Sequence, residues 1–247
     1  MRLLRKSARA AAETVATWVA RHLSEDHAAG ALLLPTGSTP LPMYAELRKR
    51  GASGDLDLEH WRSFNLDEYW PCAPEDPISF RSFMEREVFS PLKLAPKRTG
   101  FLSGTVKEEA LAAHCKAYEN DMAAAGGIAL AVLGAGINGH LAFNEPGSAL
   151  NSRTRVVGLA QSTRTRPGFP GGIHGPSRAL TVGLGTILEA QHIVVLAHGE
   201  AKAQAVFEMM QGEPSLDWPV TCLQNHAQVT VLADDDACRL LTKEARD

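Results

Sequence analysis

Short apolar runs recur along this chain, separated by longer stretches whose apolar positions keep helical spacing. Between residues 7 and 23, Ala11, Val15, Trp18 and Val19 fall on one face of a 3.6-residue period and predict an amphipathic helix. Ala31-Leu32-Leu33-Leu34 is too short for a helix and reads as a strand, followed by a helix from Leu41 to about Arg50. The alternation continues with a strand from Trp61 to Leu66 and a helix from Ser79 to Phe89, whose apolar side carries Phe80, Phe83, Met84 and Val88. An alanine-rich helix from Glu108 to Ala125 precedes a buried strand, Ile128 to Leu133. Further strands are predicted at Arg178 to Val182, Ile193 to Ala197 and Gln228 to Leu232. A helix runs from Ala201 to about Gln211, and Asp234, Asp235 or Asp236 begins a closing helix. Strands that alternate with helices predict an α/β fold: one Rossmann-like domain over residues 1–247, with a mainly parallel sheet flanked by helices.

One stretch breaks the alternation. Residues 158 to 178 hold Gly158, Pro167, Gly168, Pro170, Gly171, Gly172, Gly175 and Pro176, with Arg164, Arg166 and Arg178 in or beside them. A long Gly/Pro loop is either a mobile lid or slack. The arginines favour a lid, because guanidinium groups clamp phosphate oxygens in pairs.

Composition narrows the picture. The 247 residues are 45% hydrophobic and 21% charged, ordinary for a soluble protein with a real core. A net charge of −3 speaks against a nucleic-acid partner or an anionic membrane surface, and no apolar run is long enough to cross a membrane. Cys72, Cys115, Cys222 and Cys238 show neither metal-type pairing nor a disulfide framework, which predicts reduced thiols and a cytoplasmic protein. Arg2, Arg5, Lys6 and Arg9 resemble the basic start of a signal peptide, but Glu13, Thr14 and Thr17 interrupt the apolar core such a peptide needs.

Candidate chemistry sits where strands end. The first predicted strand runs into Pro35-Thr36-Gly37-Ser38-Thr39-Pro40 and then a helix, an arrangement that grips phosphate through backbone N–H groups, hydroxyls and the helix field. A plain helix cap accounts for the same residues equally well, and there is no Walker-type lysine. Asp67-Glu68-Tyr69 follows the second strand, the position where ligands bind in open α/β sheets. After the Ile128 strand comes Gly134-Ala135-Gly136-Ile137-Asn138-Gly139-His140, with Glu145 five residues on: a histidine and a carboxylate beyond a glycine turn, suited to acid/base work. Lys202, in a helix's first turn, opposes the helix dipole unless an anion sits there.

Four segments together resemble the glucosamine-6-phosphate deaminases, members of the glucosamine/galactosamine-6-phosphate isomerase group: Leu34 to Pro40, Phe64 to Tyr69, Gly139-His140-Leu141-Ala142-Phe143-Asn144-Glu145-Pro146-Gly147, and Ala179 to Gly183. The phosphate-loop motif is shared with 6-phosphogluconolactonases. The resemblance implies conversion of an aminosugar 6-phosphate and water to a ketose 6-phosphate and ammonia, with no metal or other cofactor and with a monomer or small homo-oligomer. By position it implies Asp67 as the base, His140 as the ring-opening residue with Glu145 as its partner, and Thr36, Gly37, Ser38, Thr39 and Lys202 around phosphate. Arg166 is favoured over Arg164 as the lid's phosphate ligand. Asn138 stands where many relatives have aspartate, and Val157 where allosteric members have a second basic residue. The alternatives are a galactosamine-6-phosphate deaminase, a lactonase and a non-catalytic sugar-phosphate sensor.

Overall fold

The computed structural model describes residues 1–24, 30–165 and 168–242. In chain order the elements are β1 (Arg2–Arg5), α1 (Ala8–Ser24), β2 (Ala31–Leu34), α2 (Leu41–Ser53), β3 (Ser63–Asn65), β4 (Asp67–Tyr69) and α3 (Phe80–Met84). There follow β5 (Thr99–Gly100), α4 (Leu111–Ala124), β6 (Ile128–Gly134), β7 (Arg155–Gly158), α5 (Gln161–Arg164) and β8 (Arg178–Thr181). The chain continues with α6 (Leu184–Leu188), β9 (His192–Ala197), α7 (Ala203–Gln211) and β10 (Val229–Ala233).

Seven strands form one parallel sheet in the order β1-β10-β9-β6-β2-β3-β5. Successive side chains of a strand point to opposite faces, so the apolar strands build two cores. Leu33, Ala131, Leu133, Val195 and Val231 face one core with α4 and α7 residues such as Tyr118 and Met209. Leu32, Leu34, Leu130, Val132, Val194 and Leu232 face the other, against Val15 and Val19 of α1 and Leu47 of α2. Burial on both faces explains why these strands read as continuous apolar runs rather than alternating ones.

The chain steps outward from β2 to β3 to β5, then returns to β6 on the other side of β2 and steps away through β9 and β10. The switch in direction lies between β2 and β6, and ligands bind beyond the carboxyl ends of the strands at such a point. The loops after β2, β3, β6 and β9 all emerge at that end because these neighbouring strands are parallel.

Several sequence expectations are corrected. Asp67-Glu68-Tyr69, expected only to follow the second strand, is itself extended. It is the strand β4, which with β8 and β7 makes a second sheet in the order β4-β8-β7, with both pairings antiparallel. The predicted strand at Arg178 therefore joins this small sheet and not the parallel one. The helix expected to 89 becomes a π-helical turn from Glu85 to Phe89. The closing helix is replaced by turns. Asp234 caps them by accepting from Ala237 N at 2.9 Å, but no α-helix follows among the described residues.

Candidate active site

The loop after β6 folds tightly upon itself. Gly136 N donates to His140 O at 2.9 Å, and Gly139, at a φ of 77°, closes the turn by donating to Gly136 O at 3.1 Å. The imidazole of His140 lies over Gly136 so closely that a β-carbon there would fall 2.4 Å from its Cε1 and Nδ1. Glycine at 136 is thus required by close approach, not by backbone angle.

Three predicted residues meet directly. His140 Nδ1 faces Glu145 Oε2 at 3.6 Å, an ion-pair distance rather than a hydrogen bond. Nδ1 is buried and has no hydrogen-bond partner among the described residues. Asn138 donates from Nδ2 to the same Glu145 Oε2 at 2.8 Å and accepts from the His140 backbone N at 3.4 Å. Thr163 of α5 donates to the other oxygen, Oε1. Burial alone would push the Glu145 carboxyl up, but the His140 ring, the Thr163 hydroxyl and the Asn138 amide outweigh it and hold Glu145 at about 2. Glu145 is therefore ionised beside His140 throughout the neutral range.

Asp67, 7% exposed, opens β4 directly opposite Thr181 of β8. The Thr181 hydroxyl accepts from Phe143 N at 3.1 Å, so one threonine joins the Asp67 strand to the loop that carries His140 and Glu145. Aromatic packing repeats the link two residues along: the Tyr69 ring lies 5.8 Å from that of Phe143 and 4.6 Å from that of Phe80, centroid to centroid. Such pairs add about 0.5–1.5 kcal/mol each beyond area burial. Asn144 supplies a third tie. Its amide donates to Leu141 O and Val182 O, and its oxygen accepts from Arg155 Nη1 at 2.9 Å.

Thr36, Gly37, Ser38 and Thr39 lie between β2 and α2, with Gly37 and Ser38 exposed and Gly37 at a φ of 95°. The hydroxyls of Thr36, Ser38 and Thr39 make no hydrogen bond among the described residues, and α2 starts without a side-chain cap. A proline does stand just inside the helix, as the plain-cap reading expects. The buried Tyr44 braces the loop: its hydroxyl donates to Pro35 O, while burial first and then the Asp67 charge push its own ionisation well up. Lys202 closes the turn Glu200–Lys202 beyond β9. Arg166 lies outside the described residues. Arg164, its rival, donates to Ile173 O within its own segment.

The sequence reading missed Thr163, Thr181 and Asn144. The last two stood inside quoted motifs, whereas Thr163 sat in a Gly/Pro stretch with nothing to single it out. Among the described residues no three His, Cys, Asp or Glu side chains gather as metal ligands, and no helix is long and apolar enough to cross a membrane.

A doubly wound sheet with an acid/base cluster and a hydroxyl-rich turn at its switch point defines a class of small-ligand enzymes. Comparison narrows it: the chain belongs to the family described as glucosamine-6-phosphate isomerases/6-phosphogluconolactonase, whose model matches residues 4–232. It is 40% identical over 237 residues to a glucosamine-6-phosphate deaminase of Porphyromonas gingivalis (strain ATCC 33277), covering 92% of this chain and 89% of that one. A solved monomeric glucosamine-6-phosphate deaminase superposes with a TM-score of 0.90 at 32% identity, over 97% of this chain and all of the other. The 6-phosphogluconolactonase of Trypanosoma cruzi superposes at 0.77 with 18% identity, over 98% of this chain and 97% of that one, and shares the fold alone.

Proposed function

We propose that this protein is a glucosamine-6-phosphate deaminase, converting glucosamine 6-phosphate and water to fructose 6-phosphate and ammonia. The observation that carries the reading is the joining of two acid/base groups through Thr181: Asp67 opposite it in the sheet, and the His140–Glu145 loop hydrogen-bonded to its hydroxyl. The deaminase names of the relatives point the same way.

The substrate enters as a closed ring. His140 takes the proton of the anomeric hydroxyl and returns one to the ring oxygen, so the C1–O5 bond breaks and an aldehyde forms. Ionised Glu145 stabilises the imidazolium that exists between these transfers. The C2 proton, now beside a carbonyl, is acidic. Asp67 removes it while the C1 oxygen takes up a proton, giving an enolamine, and delivers it to C1 while the amino group gives up a proton, leaving an imine at C2. Water adds to that imine and ammonia departs. One carboxylate suffices because C1 and C2 are adjacent, provided the sugar is held still. Thr36, Gly37, Ser38, Thr39, Lys202 and Arg166 supply that hold at the phosphate, and residues 158–178 act as the lid of a single domain. The protein works in the cytoplasm as a monomer, in keeping with the monomeric relative.

Ammonia release from glucosamine 6-phosphate tests the reading, with galactosamine 6-phosphate and 6-phosphogluconolactone as competitors. Asp67→Asn is expected to lower kcat about a hundred- to ten-thousandfold, the range for a general base, while sugar-phosphate binding persists. Acid release from the lactone, or tight binding without turnover by the unaltered protein, would replace the deaminase with a lactonase or a sensor.

A further inference from the structure

We infer that Thr163 is a positioning residue for the His140–Glu145 pair, so that the catalytic loop is completed by the segment 158–178 and not by the loop after β6 alone. The inference rests on the deaminase reading and adds to it a residue outside the motifs that carry the resemblance.

Glu145 is held by two donors on different oxygens. Asn138, from the same loop, takes Oε2, the oxygen that faces His140. Thr163 takes Oε1 from another part of the chain. One hydrogen bond leaves a carboxylate free to swing about its own axis. Two on opposite oxygens fix its plane, and with it the direction from which His140 sees negative charge. Thr163 is placed for this and little else: it is 4% exposed on a four-residue helix whose neighbours Gln161, Ser162 and Thr165 are exposed. A buried hydroxyl in an otherwise exposed turn needs a partner, and its partner is the catalytic carboxylate.

The segment is itself tied at both ends to the sheet that carries Asp67. It leaves β7 at Gly158, which is in register with Arg178 of β8, and Leu159 N donates to Ser177 O at 2.8 Å. Phe169 packs on Tyr69 with ring centroids 5.9 Å apart. Thr163 therefore links the lid side of the site to the acid/base pair without being required to touch substrate.

The test is a double-mutant cycle on ammonia release with Thr163→Val, Thr163→Ser and Glu145→Gln. Thr163→Val keeps the shape and removes the donor. It is expected to lower kcat about ten- to a hundredfold with KM nearly unchanged, and Thr163→Ser to restore most of the rate. In the Glu145→Gln background the same valine is expected to cost less than about twofold, because the carboxylate it aligns is gone. A valine variant with unaltered kcat overturns the inference, as does an equal loss in both backgrounds or a failure of serine to rescue. A loss of rate matched by a fall in melting temperature in both backgrounds assigns Thr163 to the fold alone and overturns it too. Absence of ammonia release by the unaltered protein counts against the deaminase reading instead.

Discussion

Replacing Gly136 by alanine tests whether the site depends on where the His140 ring lies. The added β-carbon would sit 2.4 Å from Cε1 and Nδ1 and 2.5 Å from Cδ2. Three ring atoms at nearly equal distance mean that the glycine meets the face of the imidazole, so rotation about the ring's own axis gives no relief. Ordinary contact begins at 3.4 Å, so the ring must retreat by about 1 Å. Gly136 does not occupy the left-handed region, so alanine brings no backbone strain of its own. Overpacking of this kind costs about 1–3 kcal/mol of stability, equivalent to about 2–4 °C of Tm per kcal/mol in a domain of this size. The effect on chemistry is larger, since a 1 Å misplacement of a catalytic group costs about a hundredfold. Ammonia release under saturating glucosamine 6-phosphate should therefore fall about a hundredfold in Gly136→Ala, with circular dichroism and a cooperative melt retained. A folded variant whose kcat stays within about twofold of the unaltered protein would refute the reasoning, since a ring displaced by this clash without penalty is not positioning a proton.

Two further outcomes follow from ionisation. Because Glu145 is held at about 2 in the folded protein, below the ordinary carboxyl value, its charge contributes stability that is complete above the unfolded value and is lost as pH falls through the folded one. The difference in urea midpoint between the unaltered protein and Glu145→Gln should accordingly shrink between about pH 4.3 and pH 2, and a difference constant over that window would contradict the assignment. Burial drives the Cys72 and Cys222 thiols up to about 12, with the Glu68 and Asp76 charges adding to the effect at Cys72, and all four cysteines are buried. A thiol–disulfide reagent at pH 8 should label the native protein slowly and release four equivalents only on unfolding; rapid stoichiometric labelling of the native state would be inconsistent with that burial.

The strands of the parallel sheet that face two cores were legible, because burial on both faces leaves an unbroken apolar run in the sequence. The ends of those strands carried the candidate residues for the same topological reason. What was illegible was short, polar or paired at long range. Arg2–Arg5 sets two leucines between two arginines at an edge beside β10, too short and too charged to read as a strand from its own pattern. Arg155–Gly158 is only half-buried and four residues long, so its pairing with β8 is fixed by the rest of the fold and not by its own pattern. The antiparallel sense of Asp67–Tyr69 against Arg178–Thr181 has no periodic signature at all, since period-2 alternation is common to both directions. Thr163 was hidden by composition: the glycines and prolines around it spoke of a loop, and a single hydroxyl cannot announce a partner eighteen residues earlier in the chain.

From sequence the asparagine at 138 removes a charge, and the geometry shows what its amide touches instead. Its amide lies 2.8 Å from Glu145 Oε2, and its oxygen accepts from the His140 backbone, so both ends of the side chain are used. A carboxylate in this place would set one acceptor against another at hydrogen-bond distance, and two like charges so close cannot both ionise freely. The negative charge that an imidazolium needs is already present on Glu145, held in the ionised form by donors on both oxygens. With asparagine, the loop concentrates one charge where His140 can feel it. With aspartate in the same rotamer it would have to share a proton between two carboxyls, or turn one of them away. On the proposed deaminase reading, position 138 serves as the donor that aims Glu145, and the pair's function would then depend on hydrogen-bond direction more than on total charge.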